Sequence, residues 1–138
     1  MIRRLTVLLL IVGCSKEPIN YETTLIERDG LYTNWYENGQ KRDELTYKDG
    51  IHNGILTWWY ENGQKESEGT YKDDKLEGLS TNWYENGQKW YELTNKDGEF
   101  DGLYTNWYEN GKKRFEGTYK DGELISEKYW NEDGSVKE

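Results

Sequence analysis

Residues able to carry covalent or acid–base chemistry are scarce in this chain. The single histidine, His52, lies in Gly50-Ile51-His52-Asn53-Gly54, which reads as a solvated turn. The single cysteine, Cys14, has no internal partner for a disulfide. Ser67, Ser80, Ser126 and Ser135 stand in no nucleophile-elbow context. No Cys/His spacing suits a metal, and no glycine-rich loop is built to cradle phosphate. Asp49, Asp73-Asp74, Asp97, Asp101 and Asp121 are acidic positions in loops. Carboxylates in loops can ligate calcium, but Asp-Gly once per turn reads as turn formation. The sequence therefore predicts no catalytic residue, no metal site and no cofactor.

Aromatic side chains are the other chemically capable group. The 138 residues include 7 Trp and 12 Tyr, against 25 Leu, Ile, Val and Phe combined. So few aliphatics with a net charge of −9 would suit a disordered chain, but disordered chains are poor in aromatics. There is no alanine and one proline beside 15 glycines. The composition points to an aromatic-rich β protein. Lys and Arg number 18 against 27 Asp and Glu, which argues against a nucleic-acid partner.

These aromatics are placed by a repeat. Trp35-Tyr36-Glu37-Asn38-Gly39-Gln40-Lys41 recurs from Trp59 and from Trp83, and once more from Trp107 with Lys112 in place of Gln, at a constant step of 24 residues. A fifth, degenerate copy starts at Trp130, one residue early. Each copy holds two runs of strand character. The first is Leu31 to Trp35-Tyr36, the second Lys41 to Lys48. Asn38-Gly39 between them is a strong hairpin signal, and Asp49-Gly50 turns the chain into the next copy. The prediction is an all-β chain of tandem 24-residue hairpins forming an elongated, curved, single-layer antiparallel sheet. About ten strands at roughly 4.8 Å would extend some 45 Å. Trp35, Trp59, Trp83 and Trp107, with Gly39, Gly63, Gly87 and Gly111, form the structural core of the repeat in this reading. Tyr91 and Phe115 fill gaps between the tryptophans.

Turn length decides the faces. A two-residue loop pairs Trp35 with Arg42 and sets the Trp column beside Glu44, Glu68, Glu92 and Glu116. A three-residue loop with Gly39 left-handed pairs Trp35 with Lys41 and Leu31 with Leu45. The second is preferred, because Leu31, Thr33, Trp35, Leu45 and Tyr47 then share an apolar face. Tyr32, Asn34, Tyr36, Arg42, Glu44 and Thr46 face solvent. That register displays an aromatic stripe of Tyr36, Tyr60, Tyr84 and Tyr108 beside Tyr32, Trp58 and Tyr104. Such rings can stack on sugars or hold a cation, and they also shield backbone. They are the candidate binding face.

Residues 1–14 read as an address. Arg3 and Arg4 precede the apolar run Leu5 to Val12, which fits the h-region of about 7–15 residues in a secretory signal. It is short of the roughly 20 residues that span a membrane as a helix. Ile11-Val12-Gly13-Cys14 resembles the lipobox of bacterial lipoproteins, which implies cleavage before Cys14 and its lipidation. Residues 1–13 are then a signal peptide, 14–27 the lipidated cysteine and a polar tether, and 28–138 the repeat domain. Its units run about 28–51, 52–75, 76–99 and 100–123, with a cap at 124–138. A chain starting at Cys14 keeps 16 basic and 27 acidic side chains, a charge of −11. The location expected is the bacterial cell envelope, lipid-anchored, with Ser15 favouring the outer over the inner membrane.

Gly, four residues, Trp-Tyr, then Glu-Asn-Gly-x-Lys and Tyr-Lys-Asp-Gly resembles the MORN repeat. It is most similar to the bacterial MORN variant whose members are often labelled YwqK-family antitoxins. The resemblance covers about residues 28–138 and implies consecutive hairpins in one sheet. The function expected is a non-enzymatic envelope scaffold, bound to the membrane through Cys14 and to an unknown protein or cell-wall polymer. The alternatives are an antitoxin or immunity-like protein against an envelope or secreted toxin, and a glycan- or wall-binding module using exposed Tyr and Trp.

Overall fold

The computed structural model describes residues 29–138. The expected signal peptide, Cys14 and the whole tether lie outside these residues. Nine strands follow in chain order: β1 (Gly30–Trp35), β2 (Lys41–Lys48), β3 (Ile51–Trp59), β4 (Lys65–Lys72), β5 (Lys75–Trp83), β6 (Lys89–Lys96), β7 (Glu99–Trp107), β8 (Lys113–Lys120) and β9 (Glu123–Tyr129). They form one open antiparallel sheet in sequential order, as the hairpin pattern predicts. The tenth strand is only a bridge between Trp130 and Val136, where the degenerate copy folds back.

Both turns follow from residue chemistry. At the first, Gly39 has φ +83°, a left-handed conformation that a side chain would resist. The Gly39 amide donates to the Tyr36 carbonyl at 3.0 Å, and the Tyr36 amide to the Gln40 carbonyl at 2.9 Å. Asn38 completes the loop, its Oδ1 accepting from the Gln40 amide at 2.9 Å. This is the expected three-residue loop. At the second, Asp49 and Gly50 both take positive φ between the paired Lys48 and Ile51, a two-residue primed turn that matches strand twist. The turn is tighter than the sequence reading allowed. His52 therefore belongs to β3 and not to a loop.

The register departs from the expected one. Trp35 pairs with Lys41, but the next pair is Asn34 with Asp43, so Arg42 is an extra residue in a bulge. The same shift recurs between Trp58 and Trp59, Asn82 and Trp83, and Asn106 and Trp107. Beyond the bulge Leu31 faces Thr46 and Tyr32 faces Leu45, the register of the rejected two-residue loop. A one-residue slip moves every side chain to the other face. One face thus carries Leu31, Thr33 and Trp35 with Glu44 and Thr46. The other carries Tyr32, Asn34 and Tyr36 with Asp43, Leu45 and Tyr47. Neither is the apolar face expected. Tyr91 and Phe115 pair with Asn82 and Asn106 on the second face, so they do not fill the Trp column.

With one layer, little is fully enclosed. Leu93 is the only buried hydrophobic side chain among the described residues, while Asp43, Thr57, Thr81 and Asn95 are buried polar groups. Cohesion comes from contacts between successive repeats, as in other repeat proteins.

Candidate functional site

The first face is a polar ladder. Thr33, Glu44, Thr57, Glu68, Thr81, Glu92, Thr105, Glu116 and Lys128 stand opposite one another across all nine strands. The Thr33 hydroxyl donates to Glu44 at 3.1 Å, and Thr57 and Thr81 repeat this toward Glu68 and Glu92. Lys41, Lys65, Lys89 and Lys113 each ion-pair with the glutamate three residues on. Their ammonium groups lie 5.4, 5.8, 5.6 and 5.6 Å from the ring centres of Trp59, Trp83, Trp107 and Trp130 in the following copy. The Lys41 hydrogen bond, more than any other effect, holds the Glu44 carboxyl below its ordinary value. The glutamate column is therefore paired, and it shares its face with the tryptophans.

The second face is aromatic. Tyr32, Tyr47, His52 and Tyr71 form one cluster, with ring centres 5.5, 4.6 and 5.8 Å apart in sequence. Tyr84, Trp90, Tyr91, Tyr104, Phe115 and Tyr129 form a second chain of rings with steps of 4.9–6.1 Å. These are normal aromatic contact distances. Between the clusters lies a depression of about 400 Å³ lined by Leu56, Trp58, Gly69, Leu76, Leu93 and Phe100, among others. A Cβ on Gly69 would sit 2.8 Å from Leu76 Cδ1, so a side chain there would have to push the Leu76 methyl aside. Burial is the leading cause that raises the Tyr91 phenol pKa. Asn106 Oδ1, in the row between Tyr91 and Phe115, is buried without a hydrogen-bond donor. The surface can accept flat or apolar groups by stacking.

The predicted binding residues divide into two sets. Tyr32, Trp58 and Tyr104 lie in the rows of the aromatic face, opposite Leu45, Ser67 and Gly117 on the neighbouring strands. Tyr36, Tyr60, Tyr84 and Tyr108 stand at the hairpin ends and are half-buried, not turned freely to solvent. Their hydroxyls donate to the carbonyls of Trp59, Trp83, Trp107 and Trp130 at 2.7, 2.7, 2.9 and 2.9 Å. Burial is the first cause raising the pKa of Tyr36, Tyr60 and Tyr84. Asn38 works alongside, its Nδ2 donating to the Glu61 carbonyl at 2.8 Å. Trp59, Trp83 and Trp107 are half-buried, whereas Trp35 is 58% exposed.

Sequence reasoning missed Tyr47, Tyr71, Trp90, Tyr91 and Phe115 as members of this face, together with His52. A signal for them existed. Lys and Glu recur three apart in every copy, while the residue after the lysine is Arg42, Glu66, Trp90 or Arg114. Residues three apart share a strand face only if one residue between them is extra. The position with no constant type is that residue.

The model of the MORN repeat variant matches residues 28–49, 53–73, 76–97 and 100–121. Each match takes in one hairpin and its Asn-Gly loop. No curated protein matches the chain.

Proposed function

The chain belongs to the MORN repeat variant family, and from that premise we propose that it is a non-enzymatic scaffold that binds a partner protein or a polymer through its aromatic face. The observation that carries this reading is the pair of ring clusters around an open depression, with Trp58 38% and Trp90 42% exposed. Exposed rings rimmed by polar groups mark interaction surfaces. Stacking on a sugar ring or on a partner's apolar side chains uses the same chemistry.

The reading includes an address. Arg3-Arg4, the apolar run to Val12 and Cys14 direct the chain to the bacterial envelope, where a lipid on Cys14 ties it to the membrane. Labelled palmitate should enter the wild-type chain and not Cys14→Ala. Equal labelling of both would remove this part. The binding part is tested by capture from an envelope fraction. Trp58→Ala/Trp90→Ala should lose what the wild type retains, whereas equal retention would refute the assignment of that face.

Net acidity supports a second reading, an immunity-like protein that neutralises a basic envelope or secreted toxin. A basic protein recovered at one copy per chain would favour it, and its release by salt would match the charge argument.

A further inference from the structure

The outer edge of β1 differs from the corresponding edge of every later odd strand that carries the full repeat. Among the described residues β1 pairs with β2 alone. On that same side β3, β5 and β7 receive β2, β4 and β6. Those three joints repeat one set of contacts. A lysine of the incoming strand caps the tryptophan of the receiving strand, at 5.4, 5.8 and 5.6 Å from the ring centre. The glutamate three residues on faces Thr57, Thr81 or Thr105, and all three threonines are buried.

In β1 the same receiving residues are present and uncovered. Trp35 is 58% exposed where Trp59, Trp83 and Trp107 are half-buried, and Thr33 is only half-buried where Thr57, Thr81 and Thr105 are buried. The strand sequence Gly-Leu-Tyr-Thr-Asn-Trp has no charge and no proline, the devices that usually protect an edge. The far edge contrasts with it. β9 carries Glu123, Glu127 and Lys128, and the chain turns back over it so that the Lys137 amide donates to the Tyr129 carbonyl at 2.9 Å.

We infer that the outer edge of β1 is a strand-binding site for an extended segment of a partner protein, running antiparallel and carrying Lys and Glu three residues apart. Backbone hydrogen bonds supply affinity in such strand addition, and alternate side chains supply selectivity. The partner lysine would cap Trp35 as Lys41 caps Trp59. Its glutamate would stand opposite Thr33 as Glu44 stands opposite Thr57. The chain's net charge of −9 favours the lysine. This site is independent of the aromatic face, since Trp35 and Thr33 project from the opposite side of the sheet.

The internal joints provide the probe. A peptide with blocked ends and the sequence of residues 41–48, Lys-Arg-Asp-Glu-Leu-Thr-Tyr-Lys, is titrated into the full chain labelled with ¹⁵N. The expected result is a set of shifts centred on the β1 amides and the Trp35 indole. Trp35→Ala, or a peptide with Ala in place of Lys41, should weaken binding about fivefold. Trp58→Ala should leave it unchanged. The peptide variant requires no change to the protein, so a folding defect cannot imitate the effect. No shifts at about 1 mM peptide, a weak limit for specific binding, would overturn the inference. So would shifts centred on the aromatic face, or affinity indifferent to Trp35 and to the peptide lysine.

Discussion

The Tyr36 hydroxyl donates to the Trp59 carbonyl oxygen at 2.7 Å, across the boundary between two repeats. Tyr60 and Trp83 repeat the bond at 2.7 Å. The pairs Trp59-Tyr60, Trp83-Tyr84 and Trp107-Tyr108 thus serve twice, with the tyrosine reaching forward and the tryptophan backbone receiving from behind. Tyr60→Phe removes one such donor and leaves a half-buried carbonyl unsatisfied. It should cost about 0.5–1.5 kcal/mol, the usual range for a lost hydrogen bond. Urea unfolding followed by Trp fluorescence measures this. A midpoint equal to the wild type would mean the bond contributes nothing.

The Asn-Gly loop should be equally sensitive. Gly63 has φ +84°, and a left-handed residue with a side chain costs about 1–2 kcal/mol. Gly63→Ala should therefore lower stability by that amount. Gly63→Asn should lower it less, because asparagine tolerates this conformation. Thermal unfolding of both variants checks the order, and equal losses would argue against a conformational origin.

The lysine ladder makes a separable prediction. Lys65 ion-pairs with Glu68 and lies over the Trp83 ring. Double-mutant cycles should give about 0.5–1 kcal/mol for Lys65 with Trp83. The exposed Lys65–Glu68 pair should couple by at most about 1 kcal/mol. Only the ion pair should fade strongly at 1 M salt, where the screening length is about 3 Å. If both couplings vanish together, the ring contact has no separate effect.

Acid should weaken the fold through specific carboxyls. Glu44 is held low first by its hydrogen bond from Lys41, and Asp101 first by its hydrogen bond from Lys120. A carboxyl that ionises more readily in the folded chain adds stability above its unfolded pKa. That contribution is lost as pH falls through the folded value. The decline should begin near about pH 4.3, and Glu44→Gln should flatten it. At the other extreme, burial raises the phenol pKa of Tyr60 and Tyr91. The unfolded chain then releases protons first, and stability should fall above about pH 10. Urea midpoints across pH test both limbs, and an acid limb identical in wild type and Glu44→Gln would contradict the carboxyl assignment.

Most of the architecture was legible in residue spacing. The step of 24 and Asn38-Gly39 gave the hairpins, and the left-handed Gly39 gave the three-residue loop. The faces were not legible by turn length alone, because a second irregularity at Arg42 cancels the register that the loop sets. Tyr36 was misread for a related reason. An aromatic column beside polar neighbours looks exposed in one strand's pattern, but its hydroxyl partner lies 23 residues away. Bonds between repeats leave no trace in the alternation of a single strand. The constancy of the whole Trp-Tyr-Glu-Asn-Gly motif was the available sign that several of its residues hold the next copy.

The bulge at Arg42, Glu66, Trp90 and Arg114 is the relationship on which both faces depend, and cross-strand proton contacts measure it directly. In a labelled chain, nuclear Overhauser effects should link Thr57 with Glu68 and Trp58 with Ser67, as paired in the sheet. Contacts linking Ile55 with Gly69 and Thr57 with Ser67 would instead mean an uninterrupted three-residue-loop register. That result would return the tryptophans to an aliphatic face and remove both the aromatic surface and the lysine ladder.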